Sequence, residues 1–165
     1  MFAAAEVADG VKWLRALAKL ELKEEVLEED DKKQTIVRYT PLGVCIGIVP
    51  WNFPVHLACG KIGPSTLTGN PIIIKPSPFT PYCNLKLVEL AQQYFPPGVV
   101  QVLSGDDNLG PWLTAHPGPE KISFTGSTMT GKKVMESASK TLKRVTLELS
   151  MLSLPSYSII IDVIR

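Results

Sequence analysis

The chain has few of the residues that bind metals or form disulfide bonds. Its 165 residues include only three cysteines and two histidines. The cysteines, Cys45, Cys59 and Cys83, are odd in number and show no Cys-x-x-Cys or Cys/His spacing suited to zinc. His56 and His116 have no acid or cysteine partner at a suggestive spacing. We therefore expect reduced thiols, structural or exposed histidines, and no metal site.

Net charge and long apolar runs are lacking as well. The 17 basic and 16 acidic residues give a net charge of +1, so no overall field attracts nucleic acid or an anionic membrane. No apolar run approaches the roughly 18 residues that span a bilayer, and the first ten residues lack the regions of a signal peptide. The sequence predicts a cytoplasmic globular protein with no nucleic-acid or membrane partner.

The order of the predicted elements favours an α/β fold. Apolar residues at helical spacing predict an amphipathic helix over Ala3–Leu20. The charged stretch 21–33 predicts a solvated loop or edge hairpin. Helical segments then separate five short β-branched runs, a pattern typical of a parallel sheet. These runs are GVCIGIV, PIIIKP, GVVQVL, KISF and RVTLEL.

Four residues follow strand ends closely and define a candidate site. Asn52, Lys75, Gly105 and Gly126 each lie at or just beyond the end of a predicted strand. Parallel strands joined by right-handed crossovers end along one rim of the sheet, where ligands of open α/β folds bind. The pattern therefore indicates a shared site at that rim.

Asn52 is the first candidate for chemistry. It lies in PWNFP, where two prolines fix the backbone and could hold its side-chain amide toward a developing oxyanion. The alternative is a turn asparagine that bonds its own backbone. Glu148 is the second candidate, because burial between Leu147 and Leu149 would raise the pKa of this carboxylate and suit a general base. Strand alternation could instead point it at solvent.

Two further features could hold an anion or a sugar. We expect the Lys75 ammonium to emerge at the end of its strand, although a plain surface lysine is the alternative. The loop GSTMTG at 126–131 lies between a strand and a helix, where backbone N–H groups favour phosphate. Ser127 or Thr128 could equally serve only as a helix cap.

Four motifs together resemble the aldehyde dehydrogenases. They are TPLGVCIGIVPWNFP, KPSPFTP, KISFTGSTMTGKKV and RVTLELS, and the similarity runs from about Ala8 to Leu149. The resemblance implies a Rossmann-like parallel sheet with flanking helices, incomplete relative to the full family fold. It also implies an oxidoreductase that converts an aldehyde to a carboxylic acid with NAD or NADP as cofactor. Asn52 would then stabilise the oxyanion of the thiohemiacetal, and Glu148 would activate the deacylating water.

The resemblance also implies a set of cofactor contacts. Lys75 would bind the adenosine ribose, Ser127 the pyrophosphate, and Gly105 would lie near the adenine. The family's KPSEQTP has a glutamate where this chain has Pro78, so the usual argument for NAD over NADP is lost. The GDDN after Ser104 departs from the commoner small-residue pattern. The full expected set is Val49, Pro50, Trp51, Lys75, Ser77, Gly105, Phe124, Thr125, Gly126, Ser127 and Gly131.

Departures from the family shape the remaining expectations. We expect residues 1–149 to form a partial cofactor-binding domain, with a helix and charged hairpin over 1–39, and 150–165 to be a divergent tail whose SIIIDVI run could add a strand. No cysteine stands at the nucleophile's position, so the favoured hypothesis is a truncated dehydrogenase, inactive alone, whose complete form takes an aldehyde substrate. The family usually assembles into oligomers through a small β-extension. The alternative is a non-catalytic module that binds a dinucleotide or pairs with subunits.

Overall fold

The computed structural model describes residues 2–149; the tail 150–165, with its predicted strand, lies outside the described residues. Five helices and seven strands make up the described chain. In order they are α1 Phe2–Leu17, β1 Glu25–Glu29, β2 Gln34–Val37, β3 Cys45–Ile48, α2 Pro54–Leu67, β4 Ile72–Lys75, α3 Tyr82–Ala91, β5 Val100–Val102, α4 Leu109–Ala115, β6 Lys121–Gly126, α5 Thr128–Ser139 and β7 Arg144–Leu149.

A five-stranded parallel sheet forms the centre of the fold, in the order β5-β4-β3-β6-β7. In register, Ile48 of β3 lies between Lys75 of β4 and Phe124 of β6, and Thr125 of β6 pairs with Glu148 of β7. The chain builds outward from β3 in one direction and then returns to its other side. The point of reversal, between β3 and β6, is where open α/β sheets bind ligands. The predicted α/β, Rossmann-like parallel sheet is confirmed.

Two apolar clusters cover the two faces of this sheet, because successive strand side chains point in opposite directions. Helices α2 and α3 pack on one face and α5 packs on the other. The first cluster comprises Cys45, Val49, Ala58, Ile62, Ile72, Ile74, Val88 and Val100. The second comprises Ile46, Ile48, Ile122, Phe124, Val134 and Ala138.

Helix α1 packs against α2 and is shorter than predicted. It ends at Leu17, and Leu20 makes only a turn bond to Leu17 while its side chain stays exposed, so no packing extends the helix. The two helices approach closely at glycines: a Cβ on Gly10 would lie 3.2 Å from the Cys59 Sγ. Val7, one of the apolar residues of this helix, is exposed.

The charged stretch forms the antiparallel hairpin β1–β2, which is separate from the main sheet. The Asp30 carboxylate holds its turn by accepting bonds from the backbone N–H of Lys32 and Lys33. The segment therefore forms a hairpin rather than a loop, over residues 25–37, but this hairpin does not lie at the edge of the main sheet. Within 2–149 no helix combines the length and apolar character needed to cross a membrane.

Candidate functional site

The turn after β3 presents Asn52 at the reversal point of the sheet. Phe53, which precedes α2, adopts a left-handed conformation with φ of 50°, a backbone state that costs a residue with a side chain about 1–2 kcal/mol. The Asn52 side chain is exposed and makes no hydrogen bond to any residue within 2–149. The alternative of an asparagine that bonds its own turn is therefore not seen.

Contacts on both sides fix this turn. The Trp51 carbonyl accepts a bond of 3.3 Å from the Thr80 hydroxyl, which ties the turn to the loop after β4. At the start of α2, the Glu6 carboxylate accepts bonds from the backbone N–H groups of Val55 and His56, at 2.7 and 3.2 Å. A carboxylate at a helix N-terminus is stabilising. Helix α1 thus anchors the helix that carries Asn52.

Glu148 is held at the same rim by two neighbours. Its Oε2 accepts a bond of 2.5 Å from the Thr125 hydroxyl and lies 3.6 Å from the Lys61 Nζ. The side chain is 41% exposed, so the burial predicted from its leucine neighbours is only partial. Thr125, predicted to contact the cofactor, donates its hydroxyl hydrogen to Glu148.

Lys61 is a site residue that the sequence reasoning missed. It lies on α2 with a side chain only 2% exposed, and its Nζ donates to the Ser123 Oγ at 3.0 Å. Burial lowers the pKa of Lys61, while the neighbouring Glu148 carboxylate opposes that shift. The sequence does contain one indication of a buried lysine, because Lys61 is the single charged residue among the small and apolar residues of ACGKIG.

Lys75 lies at the end of β4 but does not emerge there. The residue is 7% exposed, and its Nζ donates to the Pro76 carbonyl at 3.2 Å. Burial lowers the pKa of Lys75, and the carboxylates of Asp107 and Asp106 oppose that shift. The expectation of an emergent ammonium is wrong, because the Lys75 side chain is buried beside the start of α4; a Cβ on Gly110 would lie 3.9 Å from the Lys75 Cε.

The turn between β6 and α5 gives its residues different roles. Ser127 caps α5, since its Oγ accepts from the Thr130 N–H at 3.2 Å, which is the capping role weighed above. The first-turn N–H groups of Thr128 and Met129 have no intrahelical acceptor and face the rim. A Cβ on Gly126 would lie 2.5 Å from the Phe124 ring. Only a glycine fits there.

The other expected contact residues divide into core and surface. Val49 and Phe124 are buried in the apolar clusters, so only their backbone can reach a ligand. Gly131 lets α5 approach β7, because a Cβ there would lie 2.7 Å from Leu149 Cδ2. Ser77 is buried and accepts from the Phe79 N–H. Gly105 is exposed in the loop after β5.

None of the three cysteines is among the residues of this arrangement. Cys45 and Cys59 are buried in β3 and α2, and burial raises the pKa of both thiols, that of Cys59 to about 11. Such thiols are poor nucleophiles near neutral pH. Cys83 is exposed on α3. Among the described residues no three His, Cys, Asp or Glu side chains come together in a way that could hold a metal ion.

The fold and the position of the rim place the chain in the class of α/β proteins with an open, Rossmann-like parallel sheet. The sequence pattern of the aldehyde dehydrogenase family matches residues 1–153. The chain belongs to that family.

The similar proteins are considerably longer. The chain is 60% identical to FUS7 of Gibberella fujikuroi over 146 residues, which are 88% of this chain and 32% of that protein. It is 56% identical to the aldehyde dehydrogenase LUC3 of a Fusarium species, covering 88% of this chain and 30% of LUC3. The chain thus spans about a third of the length of these curated relatives.

The chain also matches solved structures of the family, and again it covers about a third of each. Betaine aldehyde dehydrogenase of Staphylococcus aureus, in complex with NAD+, matches with a TM-score of 0.83 and 29% identity, covering 88% of this chain and 30% of that one. A 3,6-anhydro-L-galactose dehydrogenase in complex with NADP matches with a TM-score of 0.81 and 31% identity, covering 90% and 32%. Members of the family therefore bind either cofactor.

Proposed function

We propose that this chain is the cofactor-binding part of an enzyme that oxidises an aldehyde to a carboxylic acid with NAD+ or NADP+. The observation that carries the proposal is the pairing of Glu148 with Lys61 and Thr125 at the same rim as the free Asn52 amide. An amide donor and a fixed carboxylate at a sheet reversal point suit acyl chemistry. The names of the family relatives support the same reaction.

Asn52 serves as an oxyanion donor in this proposal. Its side-chain N–H groups are free and its turn is fixed by Trp51 and by the capped start of α2. A preorganised donor of this kind contributes about 3 kcal/mol to transition-state stabilisation in comparable sites. The exposed amide therefore has the freedom and the support that the role requires.

Glu148 serves as the general base that removes a proton from water. Thr125 and Lys61 both approach its Oε2, while Oε1 accepts no hydrogen bond from residues 2–149. Oε1 can therefore accept the proton. Lys61 is a positioning residue here, because it acts through the carboxylate it holds.

We assign the dinucleotide contacts to residues of the rim. The unpaired first-turn N–H groups of α5, beside Ser127, suit the pyrophosphate, and Lys75 with Ser77 and Gly105 would hold the adenosine. Val49, Pro50 and Trp51, with the strand end 124–126 and Gly131, would complete the contact surface. When bound, NAD+ or NADP+ would supply the hydride acceptor for the oxidation in the complete enzyme.

The cysteine inventory limits what the chain does by itself. Two of its thiols are buried with raised pKa values, and none of the three is among the proposed site residues. We propose that the chain alone binds the cofactor without oxidising aldehydes, and that the thiolate belongs to the complete enzyme.

Assembly and location complete the proposal. The isolated two-stranded hairpin exposes the apolar residues Val26, Leu27 and Ile36, and such a hairpin is marginal in water without a partner. We propose that it packs against a second copy of the enzyme. A cytoplasmic location stays a prediction of the sequence.

Isothermal titration of the full chain with NAD+ and with NADP+, followed by an aldehyde oxidation assay that records NADH or NADPH absorbance, tests the proposal. The expected result is binding of NAD+ or NADP+ and no aldehyde-dependent NADH. Absence of binding by both nucleotides would overturn the cofactor assignment, and steady NADH formation would overturn the argument from the cysteines. Trp112→Ala, a change at an exposed residue outside the proposed contacts, is the matched control.

A further inference from the structure

Helix α2 begins without a cap of its own. Phe53 occupies the cap position and its side chain makes no capping bond, while Pro54, the first helical residue, has no N–H to satisfy. The N–H of Leu57 donates to the Phe53 carbonyl at 3.0 Å, as in a regular helix. The N–H groups of Val55 and His56 are therefore the helical donors of this turn that need an acceptor from outside the helix.

One carboxylate oxygen from another helix accepts both of these bonds. The Glu6 Oε1 lies 2.7 Å from the Val55 nitrogen and 3.2 Å from the His56 nitrogen. Glu6 lies 49 residues before Val55 in the chain, on helix α1, which packs against α2. Its negative charge also suits the positive end of the α2 dipole. A residue of α1 thus caps α2.

Asn52 lies at a position in the chain from which it could cap the same helix. Asparagine is among the best capping residues, and a capping side chain accepts from a backbone N–H two or three residues later. Val55 lies three residues after Asn52. The Asn52 side chain nevertheless makes no hydrogen bond within 2–149, and the Val55 N–H already donates to Glu6. Glu6 and Asn52 are therefore alternative acceptors for one backbone donor.

We propose that Glu6 is a positioning residue that keeps the Asn52 amide free to act as the oxyanion donor. The inference rests on the proposed function, in which Asn52 has that role. While Glu6 accepts from the Val55 N–H, the Asn52 side chain has no capping partner, and its own N–H groups stay available to the substrate oxygen. Without the Glu6 acceptor, the Asn52 Oδ1 accepts from Val55, and its side-chain amide turns toward α2 and away from the substrate.

Urea unfolding of the full chain tests this competition in a double-mutant cycle with Glu6→Met, which removes the acceptor and keeps the length of the side chain. With Glu6 present, Asn52→Ala should change the unfolding equilibrium constant less than about twofold, because the amide bonds nothing. In the Glu6→Met background it should raise that constant about fivefold, the usual effect of losing an asparagine cap. The control background is Asp9→Ala, which removes an α1 carboxylate that pairs with Lys12, and there Asn52→Ala should again have little effect. Glu6→Ser, too short to reach α2, repeats the cycle if Glu6→Met does not fold.

Steady-state kinetics of the complete enzyme separates positioning from stability. Glu6→Met should lower kcat at least about tenfold with the KM for NAD+ unchanged, because outright loss of an oxyanion donor costs about 100-fold. Glu6→Gln, whose amide oxygen can accept both N–H bonds, should restore kcat to within about threefold of the wild type. In an Asn52→Ala enzyme, Glu6→Met should lower kcat no further, a result that a purely structural role of Glu6 would not give.

The outcomes distinguish the inference from the function beneath it. If Asn52→Ala has the same effect on stability with and without the Glu6 acceptor, the inference is overturned and the proposed function stands. The same holds if Glu6→Met lowers kcat equally in the wild-type and Asn52→Ala enzymes. An unchanged kcat in Asn52→Ala alone would overturn the oxyanion assignment in the proposed function, and the inference with it.

Discussion

The Lys61–Glu148 pair predicts that two substitutions in one contact have unequal costs. The Lys61 side chain is 2% exposed and the Glu148 side chain 41% exposed, with Nζ and Oε2 3.6 Å apart. Glu148→Gln leaves an ammonium buried without a counter-charge. Lys61→Met leaves a carboxylate that water can still reach.

The size of the difference follows from burial. Removing one partner of a buried pair costs about 3–5 kcal/mol when the remaining charge is fully buried. Lys61 keeps its bond to the Ser123 hydroxyl, so we expect Glu148→Gln to lower the free energy of unfolding by about 2–3 kcal/mol. Lys61→Met removes a desolvated charge as well as its bonds, and we expect a change of less than about 1 kcal/mol.

Urea unfolding of the full chain at neutral pH, followed by circular dichroism, measures both variants. The double variant Lys61→Met/Glu148→Gln should be close to Lys61→Met alone, because no uncompensated charge remains. Lys12→Met, which removes an exposed pair with Asp9, is the control and should have little effect. A larger loss of stability in Lys61→Met than in Glu148→Gln would contradict the claim that the buried Lys61 ammonium depends on the Glu148 carboxylate.

Three other predictions concern pH, packing and catalysis. Burial, with a smaller contribution from Glu6, raises the pKa of Cys59 from 9.0 to about 11. The buried, protonated thiol therefore contributes stability that is fully present below pH 9 and is lost as pH rises through 11. Cys59→Ala should therefore flatten the alkaline fall in unfolding free energy, and an unchanged fall would contradict this assignment. Asn84 is fully buried with neither amide atom paired within 2–149; Asn84→Ala should stabilise the chain by about 1 kcal/mol in urea unfolding, and a loss would argue for an unseen partner. Asn52→Ala should lower kcat of the complete enzyme about 100-fold, with NAD+ binding and stability unchanged, as steady-state kinetics and titration can check.

The sheet could be predicted from the sequence because its strands are short, β-branched and separated by recognisable helices. Each predicted run overlaps one strand, although β6 extends two residues beyond the run KISF, and the rim positions of Asn52 and Gly126 followed from strand direction alone. The end of α1 could not be predicted, since the periodicity continued to Leu20 while the packing surface on α2 did not.

Side-chain partners were harder to predict than strands. Lys61 and Glu148 are far apart in the chain and meet only because α2 crosses the strands that follow. The burial of Lys75 depends on how the start of α4 packs beside β4, which the sequence does not indicate. Such contacts depend on tertiary geometry that no local pattern carries.

The central claim is that a dinucleotide binds at the carboxyl rim of the sheet, and amide NMR of the full chain titrated with NAD+ tests it directly. We expect the chemical-shift changes to concentrate at the backbone amides of Lys75, Gly105 and Ser127. The amides of Asn70 and Gly98, at the opposite ends of the strands, should stay in place. Shifts centred on that opposite end, or no shifts at saturating NAD+, would contradict the account.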